Sequence, residues 1–195
     1  MNRRALIALF ACVLVTGCGD DDGPTSPSAA PLVFTALLSP ANEVPPIGNA
    51  NWRVVDGAVQ ADNAMAGFLV SKASYGDFEL RAEVWVTPDA NSGIFIRCEN
   101  PKEVTAMNAY EVNIFDMRPD QAYRTGGIVD VAKPLSVMNA GNRWNTMEIT
   151  AKGPRLTVRL NGTPMVDVQD MKHARGPIAL QAGAGTVKFR KVEIR

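Results

Sequence analysis

Two stretches decide how this chain folds: Asn91-Ser92-Gly93-Ile94-Phe95-Ile96-Arg97 and Ala109-Tyr110-Glu111-Val112-Asn113-Ile114-Phe115-Asp116. Both alternate apolar and polar residues, which is typical of a strand with one buried face. Because side chains alternate across a strand, one face of each segment is predicted to lie in the core. The core residues predicted in this way are Ile94, Ile96, Cys98, Tyr110, Val112 and Ile114. Neighbouring strands would then share an outer surface made of Phe95, Arg97, Glu99, Glu111, Asn113 and Phe115.

That shared surface combines aromatic rings with converging hydrogen-bonding groups. Such a combination suits a sugar-like ligand, which has apolar C–H faces and a rim of polar hydroxyls. An ordinary solvated face of an antiparallel sheet shows the same alternation. The pattern by itself therefore leaves a ligand site and a plain sheet face both open.

The first 17 residues have the composition of a secretion signal. Two arginines precede an apolar run from Ala5 to Val15, which is too short to span a bilayer. The junction Leu14-Val15-Thr16-Gly17-Cys18 resembles a bacterial lipobox, in which cleavage precedes the cysteine and the cysteine then carries lipid. We expect Cys18 to anchor the protein to a membrane of the bacterial cell envelope, with the outer membrane favoured. A plain secretory signal with an incidental Cys18 is the alternative.

Residues 18–50 are predicted to form a flexible tether. They begin with three aspartates and a Gly-, Pro- and Ser-rich run that has no apolar periodicity. The segment Phe34 to Pro46 resembles the opening strand of chordin-type repeat domains, and we interpret it as part of the tether or as a strand on the edge of the domain. Residues 51–195 are left as one domain, long enough to bury a core.

Composition limits the partners of the mature chain. The sequence has 20 Lys and Arg against 20 Asp and Glu, and loss of the signal arginines leaves it slightly acidic, which argues against a nucleic-acid partner.

Cys98 would be the one unlipidated cysteine, so we expect no disulfide and treat it as a small core hydrophobe. No His, Cys and carboxylate cluster has metal-ligand spacing, so no metal or other cofactor is expected, although calcium bound through oxygens stays open. We expect a monomer.

The domain is predicted to be all-β, because no window of helical length has a 3.6-residue period. About ten short strands, separated by Gly, Pro and Asn turns, favour an antiparallel β-sandwich or jelly roll. They include Thr125 to Val131, and Asn161-Gly162 predicts a type I′ hairpin. The polar face carrying Arg97, Glu111 and Asn113 is expected to line a groove on one sheet.

The order of motifs resembles the 3-keto-disaccharide hydrolase family, formerly a domain of unknown function, from about Trp52 onward. The resemblance implies a concanavalin A/laminin G-like jelly roll that acts on 3-keto glycosides, sugars already oxidised at C3. The matching motifs are Tyr75-Gly76-Asp77-Phe78-Glu79-Leu80, Asn91-Ser92-Gly93-Ile94-Phe95-Ile96-Arg97, Tyr110-Glu111-Val112, Thr125-Gly126, Trp144-Asn145, Leu160-Asn161-Gly162, Gly176-Pro177-Ile178-Ala179-Leu180-Gln181 and Val187-Lys188-Phe189-Arg190.

The implied chemistry assigns roles to these polar residues. A ketone at C3 acidifies the C2 proton, so a general base can remove it while the oxygen at C1 departs, and water then adds to the enone. Glu111 is the expected base, and Arg97 is expected to stabilise the enolate or hold the substrate. The same two residues would also make a simple cross-strand ion pair. Substrate binding is predicted for Asn113, Gln181, Phe95, Phe115 and Trp85.

Two departures from the family pattern keep another function open. The family commonly has Gln where this chain has Asn113, and a His shortly after the Leu-Gln pair, where Ala182-Gly183-Ala184-Gly185 follows here. The one histidine, His173, lies in a segment predicted to be an exposed loop. The competing interpretations are a hydrolase of 3-keto-disaccharides, a non-catalytic carbohydrate-binding module on the same fold, and a structural protein of the cell envelope.

Overall fold

The computed structural model describes residues 35–36, 46–62 and 66–195, and nearly all of its regular structure is β. The predicted signal, Cys18 and most of the predicted tether lie outside the described residues. Within the described ranges, no helix is long and apolar enough to cross a membrane. The strands are β1 (Thr35–Ala36), β2 (Ile47–Gly48), β3 (Arg53–Val55), β4 (Ala58–Ala61), β5 (Gly67–Val70), β6 (Phe78–Val86), β7 (Asn91–Ile96), β8 (Tyr110–Ile114), β9 (Trp144–Lys152), β10 (Arg155–Leu160), β11 (Thr163–Gln169), β12 (Ala179–Ala184) and β13 (Val187–Ile194).

These strands form two antiparallel sheets. The larger sheet has the order β11-β10-β9-β6-β13-β4-β3, and β1 pairs with β13 beside that path. The smaller sheet has the order β2-β5-β12-β7-β8. The all-β sandwich predicted from the sequence is therefore confirmed. Strand β1 lies within the segment from Phe34 to Pro46.

The core lies between the two sheets and is built by period-two alternation. In β6, buried and partly exposed residues alternate along nearly the whole strand, so Leu80 and Val84 face inward. Ile94 of β7 and Val112 of β8 are buried from the other side. All four side chains belong to one continuous apolar cluster, which holds the two sheets face to face.

Turn chemistry explains why consecutive strands pair. Asn161 and Gly162 have φ angles of 52° and 78°, the left-handed values that a type I′ turn requires at both central positions. This turn joins β10 to β11, as the sequence predicts. Asp56 and Gly57, in the turn between β3 and β4, also both have positive φ angles.

Residues 115–143 connect β8 to β9, and the prediction of a strand from Thr125 to Val131 is wrong in detail. Only isolated bridges form there, from Ile128 to Val112 and to Ala132. Asp116 fixes the segment instead, because its carboxylate accepts hydrogen bonds from the Thr125 hydroxyl at 2.6 Å and from the backbone N–H groups of Ala140 and Gly141 at 2.9 Å. The partly buried carboxylate of Asp116 thus joins the two ends of the connection.

Candidate functional site

The outer face of the smaller sheet carries a row of polar residues around a glycine. Gln181 of β12 pairs with Gly93 of β7, and Gly93 pairs with Asn113 of β8. Glu111 lies two residues before Asn113 on the same face. A Cβ atom on Gly93 would stand 3.4 Å from Cγ of Glu111, so the Glu111 side chain leans over the glycine. We call Gln181, Gly93, Asn113 and Glu111 the polar row.

The other half of this outer face is apolar and covered. Phe95, the register partner of Glu111, is 1% exposed and meets the Phe68 ring edge-on, with centroids 5.3 Å apart. Val104 and Ala109, from the connection between β7 and β8, pack onto the same cluster. Phe95 therefore supports Glu111 from beside it and offers no open ring to a sugar.

Glu111 is a buried carboxyl group with an unusual proton affinity. Only 9% of the residue is exposed, and burial raises its pKa to about 7. The positive charge of Arg118 opposes that shift, and the negative charge of Asp130 adds to it. A carboxyl group that titrates near neutrality can both accept and return a proton at physiological pH.

Several polar atoms around Glu111 lack hydrogen-bond partners. Asn113 is fully buried, and its amide nitrogen donates to the backbone oxygen of Tyr123 at 2.5 Å, which leaves its Oδ1 atom unpaired. Two further amide oxygens are buried without a partner: Oε1 of Gln181 and Oδ1 of Asn91. Asn91 lies two residues before Gly93 on β7. Three buried amide oxygens without a partner therefore lie on or beside the polar row.

The connection after β8 supplies a cation that the sequence analysis does not assign. Arg118 is partly buried, its Nε atom is buried without a partner, and its charge acts on Glu111. The backbone of the same connection runs along β8. There the Val129 N–H donates to the backbone oxygen of Glu111 at 3.0 Å, and the Gly126 N–H donates to the backbone oxygen of Asn113 at 2.9 Å. In the sequence Arg118 is one more loop arginine, because only the fold brings it back over β8.

Arg97 does not share the face of Glu111, and this prediction is wrong. Its φ angle of 54° breaks the alternation at the end of β7 and turns the side chain inward. The guanidinium is 2% exposed and donates to three backbone oxygens, those of Gly76 at 2.9 Å, Gly153 at 3.0 Å and His173 at 3.2 Å. These bonds make Arg97 a structural clamp between loops.

The same irregularity changes the position of Cys98. Instead of facing the inner core, Cys98 packs with Phe95 in the outer apolar cluster. Burial raises the pKa of its thiol to about 12, so it remains an unreactive thiol.

His173 is also placed differently from the exposed loop that the sequence suggests. It is 2% exposed, its ring meets Tyr110 edge-on at 4.9 Å, and its Nδ1 atom lies 3.0 Å from Oε1 of Glu99. Its backbone nitrogen donates to the Tyr110 hydroxyl, which donates to Asp170 at 2.5 Å. His173 belongs to the Arg97 side of the smaller sheet, away from the polar row.

The remaining predicted site residues lie apart from Glu111. Trp85, predicted to bind substrate, is on the outer face of the larger sheet, where it pairs with Trp144, so it does not share a face with Glu111. Phe115 is partly buried just beyond the end of β8. Of the predicted set, the structure brings Glu111, Asn113 and Gln181 together.

Two of the cavities in the described part of the chain illustrate that open space lies away from the polar row. One of about 410 Å³ is on the larger sheet and is lined by the exposed ion pair of Arg155 and Asp167. The other, of about 360 Å³, is lined by Cys98, Glu99 and Arg175. Their carboxyl groups, those of Asp167 and Glu99, are about half exposed, whereas Glu111 is buried. In the described part of the chain, no group of three or more His, Cys, Asp or Glu side chains is arranged to hold a metal ion.

A family model described as a 3-keto-alpha-glucoside-1,2-lyase-like domain matches residues 41–195. The chain belongs to this family. The resemblance seen in the sequence is thus confirmed. Its motifs lie on β6 to β10, β12 and β13 and on the turns beside them, except Thr125-Gly126, which lies in the connection between β8 and β9. No curated protein matches the chain significantly.

Solved structures share the fold at low sequence identity. A provisionally named glycosyl hydrolase from Parabacteroides distasonis aligns with a TM-score of 0.63 and 22% identity, over 76% of this chain and 92% of that one. A carbohydrate-binding module from Bacillus subtilis gives 0.61 and 17%, over 77% and 95%. A β-glucanase from Bacillus licheniformis gives 0.54 and 12%, over 78% and 90%. This family member therefore has a jelly-roll fold found in both glycosidases and sugar-binding modules.

Arg97→Lys is expected to lower the free energy of unfolding by about 2–4 kcal/mol. The three carbonyl oxygens are bonded by three different guanidinium nitrogens, and a single ammonium nitrogen cannot lie within hydrogen-bond distance of all three. Urea denaturation of the variant measures this loss. Arg159→Lys is the matched control, since Arg159 is exposed and its guanidinium bonds a single carbonyl oxygen, that of Gly162. Equal midpoints for the two variants would contradict the clamp.

Glu111→Gln is expected to change how stability depends on pH. An unfolded glutamate has a pKa of about 4.5, and the folded value is about 7. Between these values the unfolded chain gives up the proton while the folded chain keeps it, so ionisation destabilises the fold as pH rises. The stability of Glu111→Gln relative to the parent should therefore rise by on the order of 3 kcal/mol from pH 4 to pH 8.

Urea denaturation of the parent and Glu111→Gln at pH 4 and pH 8 gives the difference in stability between the two proteins at each pH, and the change in that difference tests the prediction. The exposed Glu103→Gln is the control and should show little change. A parent and a Glu111→Gln variant with the same pH profile would show that Glu111 titrates normally.

Proposed function

We propose that this protein cleaves the glycosidic bond of 3-keto glycosides, with Glu111 as the general base. The family is named for a 3-keto-alpha-glucoside lyase reaction, which removes a proton from carbon next to a ketone. The observation that carries the proposal is the buried Glu111 carboxylate, whose pKa of about 7 suits proton abstraction at neutral pH.

The proposed reaction proceeds by elimination followed by hydration. The ionised Glu111 takes the proton from C2, the C2–H electrons form a C1=C2 double bond conjugated with the C3 ketone, and the C1–O bond breaks. The leaving oxygen takes up a proton and departs as an alcohol. Water then adds at C1, and a proton returns to C2, so the net result is hydrolysis of the glycoside.

The developing enolate at C3 needs a nearby cation or hydrogen-bond donor. Arg118 is the better candidate for this role, because its Nε atom has no partner and its charge already acts on Glu111. Arg97 was expected to do this, but its guanidinium is engaged with three backbone oxygens. The amide groups of Asn113 and Gln181 would bind the sugar hydroxyls.

A second candidate function is sugar binding without cleavage. Within the described residues, the polar row contains no carboxyl or imidazole group besides Glu111 to protonate the leaving oxygen. The unpaired amide oxygens favour hydroxyl recognition in either case. The similar fold of the Bacillus subtilis carbohydrate-binding module is compatible with this alternative.

Turnover in D₂O of a 3-keto-disaccharide, with the unoxidised disaccharide as control, tests the proposal. We expect release of a monosaccharide from the keto sugar alone, with deuterium incorporated at C2. Glu111→Gln should reduce the rate at least about a hundredfold, the usual contribution of a general base, and still bind the sugar. Glu103→Gln should react like the parent.

The other outcomes separate the candidates. Cleavage without deuterium at C2, and at an unchanged rate for substrate deuterated at C2, would exclude elimination, because direct hydrolysis at C1 leaves the C2–H bond intact. Binding of the keto sugar without turnover would identify a binding module. Normal turnover in Glu111→Gln would remove Glu111 from the mechanism.

We also propose that the protein is a monomeric lipoprotein of the bacterial cell envelope, anchored through Cys18. The support is the order of charged residues, apolar run and lipobox-like junction in residues 1–18. In a bacterial host, radioactive palmitate should label the parent and not Cys18→Ser. Labelling of both proteins to the same extent would refute the anchor.

A further inference from the structure

The outer face of the larger sheet presents two tryptophans side by side. Trp85 of β6 and Trp144 of β9 are register partners, and both side chains are partly exposed. On the other side of Trp85, its partner in β13 is Lys188, whose ammonium lies 4.8 Å from the centre of the Trp85 ring. This surface faces away from the polar row, and neither the family name nor the proposed reaction requires it.

A bulge in β13 adds two further cations to the same surface. The pairing with β6 shifts register between Arg190 and Glu193, and Lys191 has a φ angle of 46°. In a regular strand, consecutive side chains point to opposite faces. Here both Arg190 and Lys191 reach the Glu83 carboxylate, at 2.6 Å and 2.7 Å. Bulges often re-aim side chains beside functional sites in this way.

The charges around the tryptophans do not balance. Lys191 and Arg190 hold the pKa of Glu83 below its ordinary value, so this group is a stable anion, yet it serves two cations. Arg190 also lies over the Trp144 ring, with its guanidinium carbon 3.9 Å from the ring centre. Among the described residues, Lys188 has no carboxylate partner, so three cations meet one anion.

We propose that the Trp85 and Trp144 face binds an anionic polysaccharide, whose sugar rings stack on the tryptophans while its acidic groups pair with Lys188 and Arg190. Indole rings suit the C–H faces of a sugar, and unbalanced cations suit a carboxylate or sulfate. The function goes beyond cleavage of a keto sugar, since it would hold the protein on a polymer through the opposite surface.

The two cations over the tryptophan rings favour binding of an anionic sugar over a neutral one. Lys188 and Arg190 now cover the ring faces that a sugar would use. A neutral sugar that stacked on the rings would break these cation–π contacts without offering the two cations a negatively charged partner. An acidic sugar offers each displaced cation a charge-assisted hydrogen bond, which is stronger than an exposed cation–π contact.

Binding of defined oligosaccharides to the full chain tests this proposal by titration calorimetry and tryptophan fluorescence. The probes are an oligogalacturonate, its methyl ester, a sulfated dextran oligomer and the unsulfated dextran. We expect binding of at least one anionic oligomer, and binding of its neutral counterpart at least about tenfold weaker, as for the loss of one charge-assisted hydrogen bond. The carboxylated and sulfated arms identify which acidic group is recognised.

Lys188→Gln should weaken binding of the anionic oligomer about tenfold, and Trp144→Phe should weaken it less. Lys102→Gln is the matched control, because Lys102 is exposed on the connection that covers the smaller sheet. The proposal is overturned if neither anionic oligomer binds, if the neutral counterpart binds equally well, or if Lys188→Gln and Lys102→Gln bind alike. Thermal unfolding of each variant checks that a lost affinity does not reflect a lost fold.

Discussion

The Arg97 clamp is the interaction on which much of the remaining structure depends. Its guanidinium joins the end of β7 in the smaller sheet to the turn after β9 in the larger one, and to two further loops, through the oxygens of Gly76, Gly153 and His173. An apolar core holds two sheets together but does not fix their loops, because hydrophobic contact has no direction. Directed hydrogen bonds from one buried cation supply that direction. To point inward, the Arg97 side chain requires a left-handed backbone conformation at this residue, which is energetically unfavourable for a residue other than glycine.

The sequence predicts the sandwich well because alternation is a local property. Ile94, Ile96, Tyr110, Val112 and Ile114 all lie in the core as their spacing indicates. The prediction fails where a single backbone angle or a distant segment decides the outcome. Nothing in the sequence announces the positive φ of Arg97, which reverses the faces of Arg97 and Cys98. Alternation also cannot predict which of the two sheets a strand joins. Trp85 and Glu111 both face outward as predicted, but their strands belong to different sheets. Phe95 faces as predicted, but Val104 and Ala109 cover it from a loop.

The candidate site shows the same division between local and long-range information. Glu111 and Asn113 share a face by spacing, and the family resemblance directs attention to them. The proton affinity of Glu111, however, comes from burial, and burial comes from its neighbours on other strands and from the connection that follows β8. That burial opposes folding once the carboxyl group ionises. The apolar cluster around Phe95 offsets this cost, so an inert part of the sheet supports the reactive group beside it.

The position of β13 has a consequence for the order in which the protein can fold. This strand follows all the other described strands in sequence, and it lies in the interior of the larger sheet between β6 and β4. Until residues 187–194 leave the ribosome, β4 and β6 have no common neighbour, and the sheet stays divided. Its central pairings join residues more than a hundred positions apart, which makes closure slow compared with hairpin formation. The larger sheet therefore closes late, because β4 and β6 must both wait for a strand made more than a hundred residues after them.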